Sequence, residues 1–388
     1  MSREHWTQDP ALDDPGPHPP GVTPAASRGG PPGPPAADRL TRRSTGMLVG
    51  AFLAITVAAL MVIVTLPYAI MEPGPITNTL GKGADGKPLV EVTGHETYPT
   101  SGALDFTTVR VVGGPGARPS VWQVILAWLD PHGAVYPEDQ LFPKGATEKQ
   151  IEEQNTAEMA DSQQEAIAVA LRALGVQVPE RVTIAEVAKD APAAAVLKPG
   201  DELVTINGAP AKDAQAVRDA IGALPAGQAV PVVLKRNGAT MTVQAKTRSS
   251  GGRTVLGVFL ATKFDFPFQV KINAGEVGGP SAGLMFTLGI YDRLTPGEMT
   301  GGEQIAGTGT IASDGVVGPI GGIQQKLAGA REGGAHYFLA PADNCDEVVG
   351  HVPGGLQVFK VSTFAQARTA VQDIAAHQTA GLATCGKS

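Results

Sequence analysis

From Met47 to Leu66 the chain reads MLVGAFLAITVAALMVIVTL, twenty residues without a charge, and the uncharged run continues to Met71. At about 1.5 Å per residue a helix of that length spans roughly 30 Å, one hydrocarbon thickness of a bilayer. A helix buried in a soluble core is the plain alternative, but no polar face appears at any helical spacing. A cleaved signal peptide is the other; against it stand the long segment that precedes the run and an apolar stretch beyond the roughly 7–15 residues of a signal peptide's hydrophobic region. Arg39, Arg42 and Arg43 lie on the amino side, Glu72 is the first charge beyond, and Lys82 the first cation. The positive-inside bias then sets the orientation. The expectation is a transmembrane signal anchor over residues 45–71 of a single-pass cell-membrane protein, with the N-terminus cytoplasmic and everything after Met71 extracytoplasmic.

Residues 1–44 hold ten prolines and five glycines with hardly a large apolar side chain. Such a segment cannot bury enough surface to offset its ordering entropy and reads as a disordered cytoplasmic tail. Its five acidic and five basic residues cancel, which leaves the formal net charge of −7 to the rest of the chain. Nothing resembles a basic stripe, so nucleic acid is excluded as the main partner. Cys345 and Cys385 are the two cysteines, too few for a disulfide framework or a four-ligand zinc site. One bridge and two free thiols both stay open. The seven histidines show no ligand spacing, and neither a metal nor a cofactor is expected.

Residues 72–175 read as a β-rich and helical extracytoplasmic region. PLVEVTG and LDFTTVRVVGG alternate like strands. The stretch 147–175 then has helical spacing, with Met159, Ala166, Ile167, Ala170 and Leu174 on one face. GKGADGKP at 81–88 has the spacing of a phosphate loop, but Pro88 stands where Ser or Thr is needed and no strand–loop–helix context surrounds it. From 176 to 248 the rhythm becomes strand, short helix, turn, strand, turn, helix, strand, turn, strand. Asn207-Gly208 is a strong turn signal there, and Gly200-Asp201 makes a tight turn into ELVTING. This stretch resembles a PDZ domain, the match being carried by APAAAVLKPGDELVTINGAPAKD. The resemblance implies capture of extended peptides as an added strand on an open sheet edge. Leu174 and Gly175, in ALGVQVPERVTIAEV, stand in for the family's carboxylate-binding loop. A structural spacer is the other role such a domain can have.

EVGGPSAGLMFTLG, residues 276–289, sets one serine among glycines and a proline before an apolar helix. A packing reading makes it a turn capping a buried helix; a catalytic reading makes Ser281 a nucleophile. A serine hydroxyl needs a base to remove its proton. A helix start offers free backbone N–H groups for an oxyanion, and with Pro280 lacking one, Gly279 and Ser281 are the candidate donors. G-P-S-A-G matches a nucleophile elbow, with Asp343 and His351 following in triad order, but the β-branched strand such an elbow needs is not immediately before it. The other base lies in VVGPIGGIQQK: strand, Pro/Gly turn, then a helix carrying Lys326 in its first turns. The small apolar LAGA after it would close the amine into a dry niche. A lysine of ordinary pKa about 10.4 acts as a base near neutrality only if burial lowers it by roughly three units. A solvated helix lysine is the bland reading.

GGPSAG followed by GTGTIASDGVVGPIGGIQQKLAGAREGGAHYFLAPADN resembles the proteolytic domain of Lon-type serine proteases, over about 265–375 and most sharply at 278–344, within a domain expected over 255–378. The resemblance implies an α+β proteolytic fold with Ser281 as nucleophile, Lys326 as general base and Thr308 as the threonine that hydrogen-bonds the lysine. The order of anchor, β-rich region, PDZ-like domain and Lon-like domain is similar to that of PDZ-containing Lon-like membrane proteases of Gram-positive bacteria. The fold class expected is therefore α+β multidomain, and the function an ATP-independent serine endopeptidase acting on extended or unfolded segments of membrane or secreted proteins, with the PDZ-like domain capturing substrate. Lon proteolytic domains form hexameric rings, so the resemblance admits a homo-oligomer. Two positions depart from the pattern: Gly278 replaces a frequent acidic residue three places before the serine, and Thr310 replaces the usual glutamate after the T-G pair. A C-terminal-processing protease also joins a PDZ domain to a Ser-Lys pair, but the P-I-G-G-x3-K segment belongs to the Lon pattern. The non-enzymatic alternative is an inactive Lon-like/PDZ scaffold that binds protein partners.

Overall fold

Pro67 sets the first boundary of the fold. The computed structural model describes residues 42–83, 86–275 and 277–386, and the chain falls into two units, Met1–Val57 and Ala58–Ser388. Apart from its last three residues, the tail expected over 1–44 lies outside the described residues. The apolar run forms helix α1, Arg42–Ile63, with no buried residue and with the length and composition to cross a membrane. It stops well before the Met71 expected from the uncharged run. Proline lacks an N–H, and the residue before it avoids the helical region. Beyond it the chain turns into strand β1, Tyr68–Asn78, whose Ala69, Ile70 and Met71 are 0%, 2% and 7% exposed. The end of the apolar run is thus core strand.

Strand β1 belongs to a mixed sheet with β3 (Ala103–Gly113), β4 (Ala134–Pro137), β11 (Gln304–Gly307), β12 (Tyr337–Pro341) and β13 (Gln357–Val361). The order is β13-β12-β11-β3-β1-β4. Strands β13, β12, β11 and β3 run parallel, and β1 and β4 close the sheet antiparallel. A short ribbon pairs β2 (Val90–Thr93) with β10 (Gln269–Ile272). Helix α2, Val121–Leu129, lies between β3 and β4 in the chain. Helix α3, Glu148–Ala173, packs with α5 (Gly283–Leu294) and α7 (Phe364–Ala375) in one hydrophobic core. The region 72–175, separate in the sequence reading, therefore shares its sheet and core with residues 269–375. Its strands find partners some 200 residues away, such as Leu104 opposite Ile305, and no local periodicity carries that pairing.

Helix α6, Ile323–Glu332, crosses β1 where the β1–β3 register shifts between Pro73 and Ile76. A Cβ on Gly329 would sit 2.8 Å from the Gly74 carbonyl oxygen, and one on Gly74 would sit 2.4 Å from Thr108 Oγ1. Only glycines let the helix and the bulged strand approach this closely.

A second sheet, all antiparallel, has the order β9-β5-β6-β7-β8: β5 is Glu180–Val187, β6 Glu202–Ile206, β7 Ala229–Arg236, β8 Ala239–Lys246 and β9 Val258–Phe264. Helix α4, Ala214–Gly222, covers it and buries Val217 and Ile221 against Val182, Ile184, Leu203 and Val232. Asp201, 1% exposed, receives two 2.7 Å bonds from Arg236, which fix the Gly200-Asp201 turn. The last strand, β9, lies beyond the 176–248 of the PDZ-like reading and pairs with β5 along its whole length. The Asp265 N–H donates to the Pro179 carbonyl at 3.0 Å, so the two ends of this insertion meet. Cys345 and Cys385 form a disulfide, which decides between the two possibilities left by the sequence.

Candidate active site

After β10 the chain passes along α3 before α5 begins, and α3 holds it at two points. The Gly279 N–H donates to the Asn155 carbonyl at 3.0 Å. The Ser162 hydroxyl, on a residue 2% exposed, donates to the Pro280 carbonyl at 3.0 Å. A Cβ on Gly278 would lie 2.9 Å from Asn155 Cβ, so the acidic residue of the Lon pattern has no room here. Ser281 follows, and its carbonyl accepts from the Gly309 N–H at 2.8 Å and from the Thr308 hydroxyl at 3.0 Å. The backbone of the serine is therefore fixed on both sides, and the residue is half-buried.

The hydroxyl meets Lys326. Its Nζ lies 2.8 Å from Ser281 Oγ and 2.9 Å from Thr308 Oγ1. Lys326 is 2% exposed and Thr308 fully buried. The lysine stands in the first turn and a half of α6, and the residues after it, Leu327 to Ala330, are buried as well. Burial lowers the amine from 10.5 to about 7. With the Thr308 proton directed at the Ser281 carbonyl, the threonine oxygen accepts from Nζ. A neutral amine then has its lone pair left for the serine hydroxyl. That geometry can remove a proton from Ser281 near neutral pH.

Of the two oxyanion donors expected, Gly279 is engaged by Asn155, because the loop is bound to α3 through that amide. The Ser281 and Ala282 amides meet no backbone acceptor among the described residues and stand at the start of α5. Ala282 was not singled out in the sequence. The triad alternative does not assemble: the His351 ring pairs with Gln324 Nε2 at 3.3 Å, and Asp343 sits in a short turn after β12. Ser162 was missed too, although a signal exists. It is a polar residue in phase with Met159 and Ala166 on an otherwise apolar stripe.

A cleft of about 830 Å³ runs between α3 and Gly275, Val277 and Gly278, shortly before the serine, and Met159, Glu148, Glu152 and Asn155 line it from the helix. On the second sheet, a groove of about 940 Å³ lies between α4 and the entry to β9, lined by Gln215, Arg218, Ile221, Leu256, Gly257 and Val258. Strand β9 is an end strand of that sheet. Leu174 and Gly175, expected as the carboxylate loop, lie instead at the end of α3 and do not line this groove. The segment Leu256-Gly257-Val258, which leads into the edge strand β9, lines it instead.

Comparison with known proteins places two domain families in this chain. Residues 156–247 match a PDZ domain family, and residues 261–374 match the Lon protease (S16) C-terminal proteolytic domain. Lon protease 2 of Bacillus subtilis is 29% identical over 112 residues, which are 29% of this chain and 20% of that protein. Lon protease of Azospirillum brasilense is 36% identical over 107 residues, 27% of this chain and 13% of its own. The chain thus spans a fifth or less of the length of these relatives. A solved PDZ domain of an SdrC-like protein from Listeria monocytogenes is 28% identical over 20% of this chain and 85% of its own, with a TM-score of 0.20. The chain joins a PDZ domain to a Lon-type C-terminal proteolytic domain in one mixed α+β fold.

Proposed function

We propose that this chain is a membrane-anchored, ATP-independent serine endopeptidase in which Ser281 is the nucleophile and Lys326 the general base. The observation that carries it is a buried amine, brought down to about 7, lying 2.8 Å from the serine hydroxyl. Neutral Lys326 takes the Ser281 proton as the hydroxyl attacks a peptide carbonyl. The Ser281 and Ala282 amides hold the oxyanion, the lysine returns the proton to the leaving amine, and an acyl-enzyme forms. Water activated by the same amine releases it. Thr308 orients Nζ throughout.

Helix α1 anchors the chain in the cell membrane, and the Cys345–Cys385 bridge suits an oxidising, extracytoplasmic side. Extended segments of membrane or secreted proteins add as a strand to the free edge of β9 and pass to the cleft before Ser281. The decisive experiment incubates the purified full-length chain with an unfolded protein, with and without ATP, beside Ser281→Ala and Lys326→Ala. Cleavage independent of ATP and lost in both variants is expected. An active Lys326→Ala enzyme would refute the dyad. Because the insertion's ends meet at Pro179 and Asp265, residues 180–264 can be replaced by a short linker. Cleavage of short peptides should persist and cleavage of protein substrates fall at least tenfold; equal loss of both, in a folded variant, overturns the capture role.

A further inference from the structure

Helix α2, Val121–Leu129, reads VWQVILAWL: one glutamine and eight apolar side chains, with no charge. The glutamine is taken by the cap, its side chain accepting from the Ser120 N–H while the Ser120 hydroxyl accepts from the Gln123 N–H. The inward side of the helix is small, Val124 and Ala127 packing on Ile70 with Leu66, Tyr68, Val112 and Val135 around them. The large side chains point the other way. Trp122 is 48% exposed, Leu126 47%, Trp128 73% and Leu129 75%. At 100° per residue, positions 122, 126 and 129 fall within about 60° of one another, and Trp128, in the last turn, lies about 100° further round from Leu129. Two tryptophans and two leucines left exposed on one nine-residue helix are what a water-facing helix avoids.

The position of the helix says what covers it. α1 ends at Ile63, and the next residues are tied to the start of α2: the Val121 N–H donates to the Val64 carbonyl at 3.0 Å and the Leu66 N–H to the Pro119 carbonyl at 2.9 Å. The beginning of α2 therefore sits within a residue or two of the exit of the apolar span, and its whole length is only about 14 Å. Tryptophan, with an apolar ring system and one N–H, is the side chain of the water–hydrocarbon boundary. Arg118 and Asp130 bracket the uncharged stretch, as polar anchors at either end of an interfacial segment.

We propose that α2 lies in the lipid surface, its Trp122, Leu126, Trp128 and Leu129 entering the headgroup–acyl boundary, so that the proteolytic body is held against the membrane in a fixed orientation rather than swinging on a tether. This rests on the reading of α1 as a membrane span, and on nothing about catalysis. The test uses the full chain carrying Trp6→Phe, which leaves Trp122 and Trp128 as the fluorophores, reconstituted in phosphatidylcholine/phosphatidylglycerol vesicles whose acyl chains are brominated at shallow or deep carbons. Expected are a blue-shifted emission and quenching that is stronger for shallow than for deep bromines, retained by Trp128 alone after a further Trp122→Phe. Emission that bromolipids leave unquenched, in vesicles from which alkaline carbonate does not extract the chain, overturns the proposal and leaves the span intact. Extraction by carbonate overturns the span and the proposal together. Emission shielded from acrylamide yet unquenched by lipid, with cross-linking between chains at α2, assigns the patch to a second copy and likewise overturns it.

Discussion

A buried lysine amine whose hydrogen-bond partners are two hydroxyls has no counter-charge beside it to hold its proton. Burial alone brings Lys326 from 10.5 to about 7. On the proposed mechanism the neutral amine is the active form, so kcat/KM should rise through about pH 7 and level off above it; a profile flat from pH 5 to 9 would remove the lysine from the base role. The same burial opposes folding. Between pH 7 and 10.5 the unfolded chain holds a proton that the folded chain has released, so this group makes stability rise with pH across that window. Its burial costs on the order of 4 kcal/mol at neutral pH. Lys326→Met should therefore abolish cleavage and yet raise Tm by a few degrees at pH 7, the gain shrinking as pH approaches 10. A calorimetric Tm that falls at pH 7 would contradict this balance.

At the level of elements, α3 is the brace of the nucleophile. Asn155 and Ser162, seven residues apart on one helix face, receive Gly279 and engage Pro280. Losing the buried Ser162 hydroxyl leaves the Pro280 carbonyl with the Gly283 N–H alone, at 3.3 Å, and costs about 0.5–1.5 kcal/mol. Ser162→Ala should lower kcat roughly ten- to a hundredfold with little change in KM, and speed amide exchange at 279–282; exchange and kcat both at wild-type values would show that the brace is idle. The glycine at 278 belongs to the same packing. It reads in the sequence as a lost carboxylate, whereas the structure makes it the space that α3 occupies.

Across the whole molecule, the PDZ insertion and the proteolytic body share a cleft of about 940 Å³ that includes Glu165, Arg172, Glu180, Asp213 and Asp314. Arg172 spans it, donating to the Ser313 and Val178 carbonyls at 2.9 and 2.8 Å and pairing with Glu180 at 3.0 Å. Glu165 is raised from 4.5 to about 7, first by burial and then by the charges of Asp161, Asp314 and Glu180. A carboxyl raised in the folded state contributes stability below about pH 4.5 that is lost as pH rises through 7. Glu165→Gln should then leave Tm unchanged at pH 4.5 and raise it at pH 8. An equal effect at both pH values would mean that Glu165 does not titrate in the cleft.

Ser281 reads from the sequence as a candidate nucleophile at a helix start, whereas the choice of Lys326 as its base, and of Thr308 as that lysine's partner, rests on the resemblance of the P-I-G-G-x3-K segment and its surroundings to Lon-type proteases. The long helix over 148–173, the alternating strands and the Gly200-Asp201 and Asn207-Gly208 turns were legible directly, each set by neighbours a few residues away. The sequence by itself determined which segments are apolar, which turn, and which side chains can carry proton transfer. Only the tertiary structure decided that β1 and β3 join β11 to β13, that β9 completes the PDZ sheet from beyond its sequence match, that Gly279 gives its N–H to Asn155, and that the two cysteines meet. Periodicity reports which face of a strand is buried, but the choice of partner strand is made by packing between residues far apart in the chain.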